Sequence, residues 1–304
     1  MKTLSLLSLT DSQKKKLVPY KYVTLGMILL ILLMLYPIIT VIVYSFLDKV
    51  VTTKTHNLVG FENFRVLFKD SLFWTSMWNT LVYTVFCVVA HLVIGLIMAM
   101  LLNSDTLSPP VKTLARVLLI LPWVFTVTIV TSLWRLLLNS EGVINYWLQY
   151  FDIINRPIGW FAEFGLAMPA VIFVNIWAGY PFHMISLLAG LQGISKDLYE
   201  AATIDGANGF QKFLHITIPQ LEPIILSVTM LDVIWTMRVY AIVYMTTGGG
   251  PGTETEVLGT YIYKKAFTEL NFTLASACSV VILLLSIILS FFYSKAQSSK
   301  GAAL

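Results

Sequence analysis

The sequence predicts an all-α, polytopic membrane protein with six transmembrane helices, on three observations. Apolar residues make up 57% of the 304 residues and charged residues only 12%, where a soluble globular domain carries about 25% charged. Mean hydropathy is +0.79. Six stretches are long and apolar enough to cross a hydrocarbon core, which takes about 20 residues at 1.5 Å rise each. Too few charges remain to coat a soluble enzyme, and a formal charge of +4 does not build a basic nucleic-acid surface. The apolar content excludes a disordered chain. Cys87 and Cys278 lie far apart in apolar runs and fit neither a disulfide framework nor a metal-binding pair.

The six stretches are residues 22–47, 77–102, 111–138, 166–191, 221–245 and 272–293. The first is too long for a secretory h-region and lacks a small-x-small site before Asp48, so it stays as an anchor. Six spans place both termini on one side. Lys14, Lys15, Lys16 and Lys21 crowd the near flank of the first span, and Lys112, Arg116, Lys196, Lys212, Lys295 and Lys300 share that side. The opposite loops carry Lys and Arg as well, so the N-terminal cluster decides the orientation: both ends are expected in the cytoplasm. Tyr20, Tyr22, Trp74, Trp147, Tyr150 and Tyr293 fall at span ends, where interfacial aromatic rings anchor.

The loop between spans four and five reads SKDLYEAATIDGANGFQKFLHITIPQLEP over residues 195–223. Ser195 is placed to cap a short helix, with Asp197 and Glu200 in its early turns where negative charge suits the dipole. Leu198, Ala201, Ala202 and Asp205 recur at helical spacing. Gly206 and Gly209 break that helix, 210–217 forms a further turn or two, and Pro219 opens span five. The predicted unit is a helix–turn–helix lying under the membrane. Its alanines and glycine suit insertion into a groove on another protein; a plain connecting loop with an interfacial helix is the alternative.

Asp232 lies roughly 15 Å into span five, near the bilayer midplane, where ionisable groups face a cavity or a partner. Trp235, Thr236 and Val239 follow at i+3, i+4 and i+7 on its expected face. A carboxylate beside an indole suits a sugar, whose hydroxyls hydrogen-bond while its C–H faces stack. Internal pairing with Arg238 is the competing account. In span four, Pro181 interrupts the helix, which is tolerable beside a cavity or a packed neighbour. Gly179 there serves close helix packing or a binding role. His91 and His183 stand alone, without a carboxylate or cysteine at ligand spacing, and read as buried hydrogen-bonded side chains. Residues 247–252 are glycine-rich but lack the lysine and hydroxyl of a phosphate loop, and read as a tight turn leading back into the next segment. With no such loop anywhere, the chain does not hydrolyse ATP, and no catalytic constellation stands out.

The loop motif Glu200-Ala201-Ala202, then Asp205-Gly206-Ala207, Phe213, Ile216, Ile218-Pro219 and Pro223 resembles the EAA loop of bacterial ATP-binding-cassette importer permeases. Further matches extend over residues 20–294 and resemble the sugar-importing, maltose-type branch. They are Gly60-Phe61-Glu62-Asn63-Phe64, Leu121-Pro122-Trp123 with Trp134, and Thr247-Gly248-Gly249-Gly250-Pro251 followed by Tyr261-Ile262-Tyr263. Thr126 stands where the branch commonly has a proline, leaving a kink in span three without its usual cause.

The resemblance implies a type I ABC importer permease fold. Residues 1–72 would hold the N-terminus, first helix and outer loop, 73–294 a five-helix permease core, and 295–304 a cytoplasmic tail. It implies Glu200, Ala201, Ala202, Asp205, Gly206 and Ala207 as the segment docking on an ATPase. It also implies Trp123, Asn175, Ala178, Gly179, Phe182, Asp232, Trp235, Thr236 and Val239 as the sugar-facing set. Val239 replaces an asparagine of the maltose protein, so the sugar is expected to differ: an oligosaccharide, or a related polyol or glycerol phosphate.

The implied partners are a second, related permease subunit, a pair of cytoplasmic ATP-binding subunits, an extracytoplasmic sugar-binding protein and membrane lipid, with no nucleic acid. No cofactor is expected on this chain, ATP and Mg being used by the ATPase, and the implied home is the bacterial plasma membrane. The rival reading, an ion-coupled secondary transporter using Asp232, predicts inverted internal repeats, and none is visible.

Overall fold

Pro219 and Pro223 lie within a helix that nevertheless runs unbroken from Gly209 to Met237. A proline lacks the N–H that a carbonyl one turn back would receive, and the chain absorbs this with a π-helical turn at Phe213–Thr217 just before Pro219. Span five was expected to begin near 221; the π turn fuses the loop's second helix to it. The same helix stops at Met237, short of the expected 245, and a separate turn of helix occupies Ala241–Thr246.

The computed structural model describes residues 23–51, 56–104 and 106–301, with side chains through 295. The lysines at 14–21, which carried the orientation argument, lie outside the described residues, as does the Lys300 side chain. In chain order the helices are α1 (Val23–Tyr44), α2 (Glu62–Lys69), α3 (Ser71–Asn103), α4 (Pro109–Val124), α5 (Val127–Leu137), α6 (Val143–Tyr150) and α7 (Ala167–Gly193). They continue as α8 (Lys196–Ile204), α9 (Gly209–Met237), α10 (Ala241–Thr246), α11 (Leu258–Tyr263) and α12 (Phe272–Gly301). Among the described residues the one extended pairing is an isolated bridge between Leu47 and Leu58. Five helices are long and apolar enough to span a membrane: α1, α3, α7, α9 and α12.

The expected third span is a broken one. α4 and α5 meet at 98°, because Phe125 and Thr126 are extended and the Thr126 hydroxyl accepts from the Ile129 N–H at 3.4 Å to start α5. A threonine at an N-cap ends one helix and begins another as effectively as a proline would, so the bend survives the departure from the family pattern.

α3 and α7 form the centre, with α9 packed on both. Three apolar clusters stack along this centre. Ala99, Leu102, Met184, Leu187, Leu191 and Leu221 fill the end nearest α8. Tyr83, Val130, Trp134, Val171, Val243 and Val257 fill the other end, beside a third cluster of Phe73, Leu258, Tyr261 and Ala277. At that far end Asn79 donates to the carbonyls of Thr253, Glu254 and Glu256, and the Thr80 hydroxyl receives the Leu258 N–H. These bonds pin the glycine turn, where Gly248 and Gly249 take φ of +63° and +96°. That turn leads back to α11 as the sequence suggested. α1 has no buried residue in its apolar window and leaves most of its apolar surface outward, its last turns resting on α12.

Candidate functional site: a midplane cluster and a surface loop

His91 on α3 and Asp232 on α9, 141 residues apart in sequence, meet with Nδ1 2.8 Å from Oδ2. The other ring nitrogen, Nε2, lies 3.1 Å from the Asn175 carbonyl oxygen. The ring is thus held at both nitrogens, by the Asp232 carboxyl on one side and by a backbone carbonyl, which only accepts, on the other. The Thr236 hydroxyl donates to the other carboxylate oxygen at 2.9 Å. His183 on α7 is fully buried, its Nε2 is 3.7 Å from Asp232 Oδ2, and neither ring nitrogen has a hydrogen-bond partner.

The two histidines, expected to stand alone, thus converge on the midplane carboxylate. Asp232 is 7% exposed and pairs with His91 rather than Arg238, whose Nε donates instead to the Ile234 carbonyl. His91, His183 and Asp232 place three ligand atoms within 4.8 Å of one another, a spacing that could hold a metal ion. Both His91 ring nitrogens already have hydrogen-bond partners, the Asp232 carboxyl and the Asn175 carbonyl, so these contacts describe a hydrogen-bonded cluster.

Glycines make this convergence possible. A Cβ on Gly179 would overlap the His91 ring, and a Cβ on Gly95 would stand 2.5 Å from the His183 Cβ and 2.9 Å from the Met184 nitrogen. Each histidine lies in a notch left by a glycine on the facing helix, and each has the other notch four residues away on its own helix. This reciprocal fit, His91-x3-Gly95 against Gly179-x3-His183, is what lets α3 and α7 approach so closely. The mirrored spacing was present in the sequence but becomes meaningful only once the two helices are known to pair.

The sugar-facing set proposed from sequence divides into three groups in space. Trp123, Phe182 and Trp235, from α4, α7 and α9, form a row of rings with centroids 6.2 and 5.2 Å apart. The two indoles are each 49% exposed. Asp232, Thr236, Gly179 and the Asn175 carbonyl belong to the buried polar cluster behind this row. Ala178 and Val239 pack against the apolar cluster at the far end. Val239 follows the end of α9, with its N–H turned to the Thr236 carbonyl, so its expected place on the Asp232 helical face does not hold.

The loop between α7 and α9 follows the predicted helix–turn–helix. The Ser195 hydroxyl accepts from the Asp197 N–H and starts α8. At its end Ala207 N–H reaches the Ala202 carbonyl and Gly206 N–H the Thr203 carbonyl, with Gly206 at φ +80°. This is a Schellman turn, which needs a residue tolerant of the left-handed region. Asn208 and Gln211 then cap each other's backbone N–H groups and begin α9. Tyr199 and Thr217 hydroxyls meet at 2.9 Å and tie α8 to α9.

Glu200, Ala201, Asp205 and Gly206 are exposed, Ala202 and Ala207 partly so. Two residues not singled out from the sequence dominate this surface: Ile204 and Phe210 are 87% and 70% exposed. Bare apolar side chains flanking a tight turn were the available signal for a docking face.

Residues 91–298 match the family model described as the inner membrane component of binding-protein-dependent transport systems. The chain is 33% identical over 279 residues to the sulfoquinovosyl glycerol transport system permease protein of Agrobacterium fabrum, covering 90% of this chain and 88% of that one. It is 33% identical to the lactose transport system permease protein of Rhizobium radiobacter, covering 89% and 90%. The fold matches a bacterial ABC transporter involved in the import of the polysaccharide alginate, with a TM-score of 0.84 at 22% identity over 95% of this chain and 98% of that one. With the matched segment running from His91 into α12, and both the midplane cluster and the surface loop inside it, the chain belongs to the inner-membrane components of binding-protein-dependent ABC importers, as a multi-pass transport subunit and not an enzyme.

Proposed function

We propose that this chain forms one half of a sugar path across the plasma membrane, with the ring row Trp123, Phe182 and Trp235 as its contact face. That row carries the reading: three aromatic rings from three separate spans, two of them half open, offer stacking surface to the C–H faces of a sugar. The relatives named for a sulfoquinovosyl glycerol and for lactose point the same way. Asp232, Asn175, Gly179 and Thr236 stand behind the rings and set their position, while Ala178 and Val239 border the path toward the outer end.

The other half of the path comes from a second, related permease. Energy comes from a pair of cytoplasmic ATP-binding subunits that use ATP and Mg, reached through α8 and the Gly206 turn. Both termini then lie in the cytoplasm, and an extracytoplasmic binding protein delivers sugar to the far end, where α6, α10 and α11 lie. Closure of the ATPase pair draws the coupling helices together and opens the path outward; hydrolysis returns it inward. The long exposed face of α1 meets lipid.

The test is sugar uptake and ATPase activity in the reconstituted complex with its binding protein. Uptake is expected to stop when the ATPase gene is deleted, and loaded binding protein is expected to stimulate hydrolysis. Uptake persisting without the ATPase would point to the ion-coupled alternative and remove this reading.

A further inference from the structure

A cleft of about 750 Å³ opens between α8, the start of α4 and the ends of α3 and α7. Lys112, Arg116, Lys196 and Lys212 line it, with Glu200 the one carboxylate among its lining residues. Lys212 donates to the Thr203 hydroxyl at 2.7 Å; among the described residues none of the four cations pairs with a carboxylate. Lys112 stands in the first turn of α4, a positive helix end where an anion is favoured, with no acidic residue in that turn and no side-chain cap from Ser108. The N-terminus of α8, by contrast, already carries Asp197 and the Ser195 cap. Four cations around one cavity with a single carboxylate leave it positively charged until an anion enters.

We propose that this cleft binds a phosphate-bearing anion, clamped between Lys112 and Arg116 on α4 and Lys196 on α8. Arg116 supplies a planar fork suited to phosphate oxygens, and the lysines supply point charges. The cleft lies where the apolar part of α4 begins, at the level of the inner-leaflet headgroups if this end faces the cytoplasm. Basic pockets between spans on that side take anionic lipid headgroups, and a soluble phosphate compound would satisfy the same chemistry. Bound there, the anion bridges the first turns of α4 to the coupling helix and holds α8 against the membrane-spanning core. The site does not depend on which solute the importer carries.

The experiment measures binding first. The complete transporter is placed in nanodiscs of phosphatidylcholine with or without phosphatidylglycerol, and lipids retained after extraction are counted by native mass spectrometry. Wild type is expected to keep at least one more phosphatidylglycerol per copy of this chain than the double variant Lys112→Gln/Arg116→Gln. The charge-preserving pair Lys112→Arg/Arg116→Lys is expected to restore it, which separates lost charge from lost folding.

A second arm titrates inorganic phosphate into phosphatidylcholine discs and follows heat of binding. Saturable, variant-sensitive binding there assigns the site to a soluble anion; binding of phosphatidylglycerol alone assigns it to lipid. Equal retention by wild type and the Gln pair, with no phosphate binding, would overturn the proposal.

Discussion

The midplane cluster and the α8 loop differ in nearly every physical respect. The cluster is buried, polar and assembled from three helices whose residues lie as far as 141 positions apart. The loop is exposed, built from one short continuous segment, and bears apolar side chains outward. In the first, His91, Asp232 and Thr236 bond to partners inside, the His183 ring nitrogens staying unbonded, and little faces solvent; in the second, backbone bonds are closed locally and the side chains are left for another molecule. A buried polar cluster fixes the relation of the helices that build it, while a bare, self-capped loop can seat in a partner without rearranging. Holding the helices in register and presenting an open surface thereby fall to separate parts of the chain.

The strongest way to break that contrast is at Asp232. Replacing it with Ala strips the buried His91 Nδ1 and the Thr236 hydroxyl of their shared partner, and breaking a buried pair costs about 3–5 kcal/mol. The expected result is a lower thermal midpoint for the purified complex, with His91→Gln nearly as severe and the double variant much less than additive. Additive losses would mean that the two side chains do not act as a pair.

At the loop the expected effect moves from stability to coupling. Ile204→Asp removes roughly 1.5–3 kcal/mol of apolar burial from a docked interface, which predicts about a ten- to hundredfold weaker association with the ATPase. The thermal midpoint of the isolated permease pair should not change. A fall in that midpoint equal to the one at Asp232 would erase the distinction between the regions. Gly206→Val acts at the same place through the backbone, forcing a β-branched residue to φ +80°, and is expected to lower uptake while the protein stays in the membrane.

The glycine notches give a third, smaller test. Gly95→Ala puts a methyl against the Cβ of His183 and the backbone of Met184 and should destabilise by about 1–3 kcal/mol, as overpacking does. Gly179→Ala drives a methyl onto the His91 ring, which is held at both nitrogens, and should cost a similar amount, measured by the same thermal scan. The smallest change is Trp235→Ala. Loss of one stacking ring, about 0.5–1.5 kcal/mol, predicts a two- to twelvefold higher sugar concentration for half-maximal uptake at unchanged stability. A shifted midpoint in this variant would place Trp235 with the cluster behind it.

Much of the architecture could be read from the chain. Long apolar runs placed the spans, and Ser195, Gly206 and the alanines between them located α8, because capping and turn chemistry are local. What escaped was set by contact between distant segments. Within its own helix Asp232 meets only the Thr236 hydroxyl, and His91 and His183 each look solitary until α3 and α7 are laid side by side in parallel. The 98° bend at Thr126 was missed because an N-cap threonine inside an apolar run looks like one more tolerated polar residue. Val239 was misplaced for the opposite reason: helical spacing was carried past Met237, where the helix had already ended. Asn271-Phe272-Thr273, whose form suggests a glycosylation site, has a local use, the Asn271 side chain accepting the Leu274 N–H at the start of α12.

The paired notches on α3 and α7 also bear on how the molecule can move. Sliding one helix along the other by a single residue would drive each imidazole onto a position that carries a Cβ: Ala178 or Tyr180 on one side, Ile94 or Leu96 on the other. The register is therefore locked at two points in opposite directions. α3 and α7 are thereby tied to turn together, and Phe182, the one ring of the row that α7 carries, turns with them.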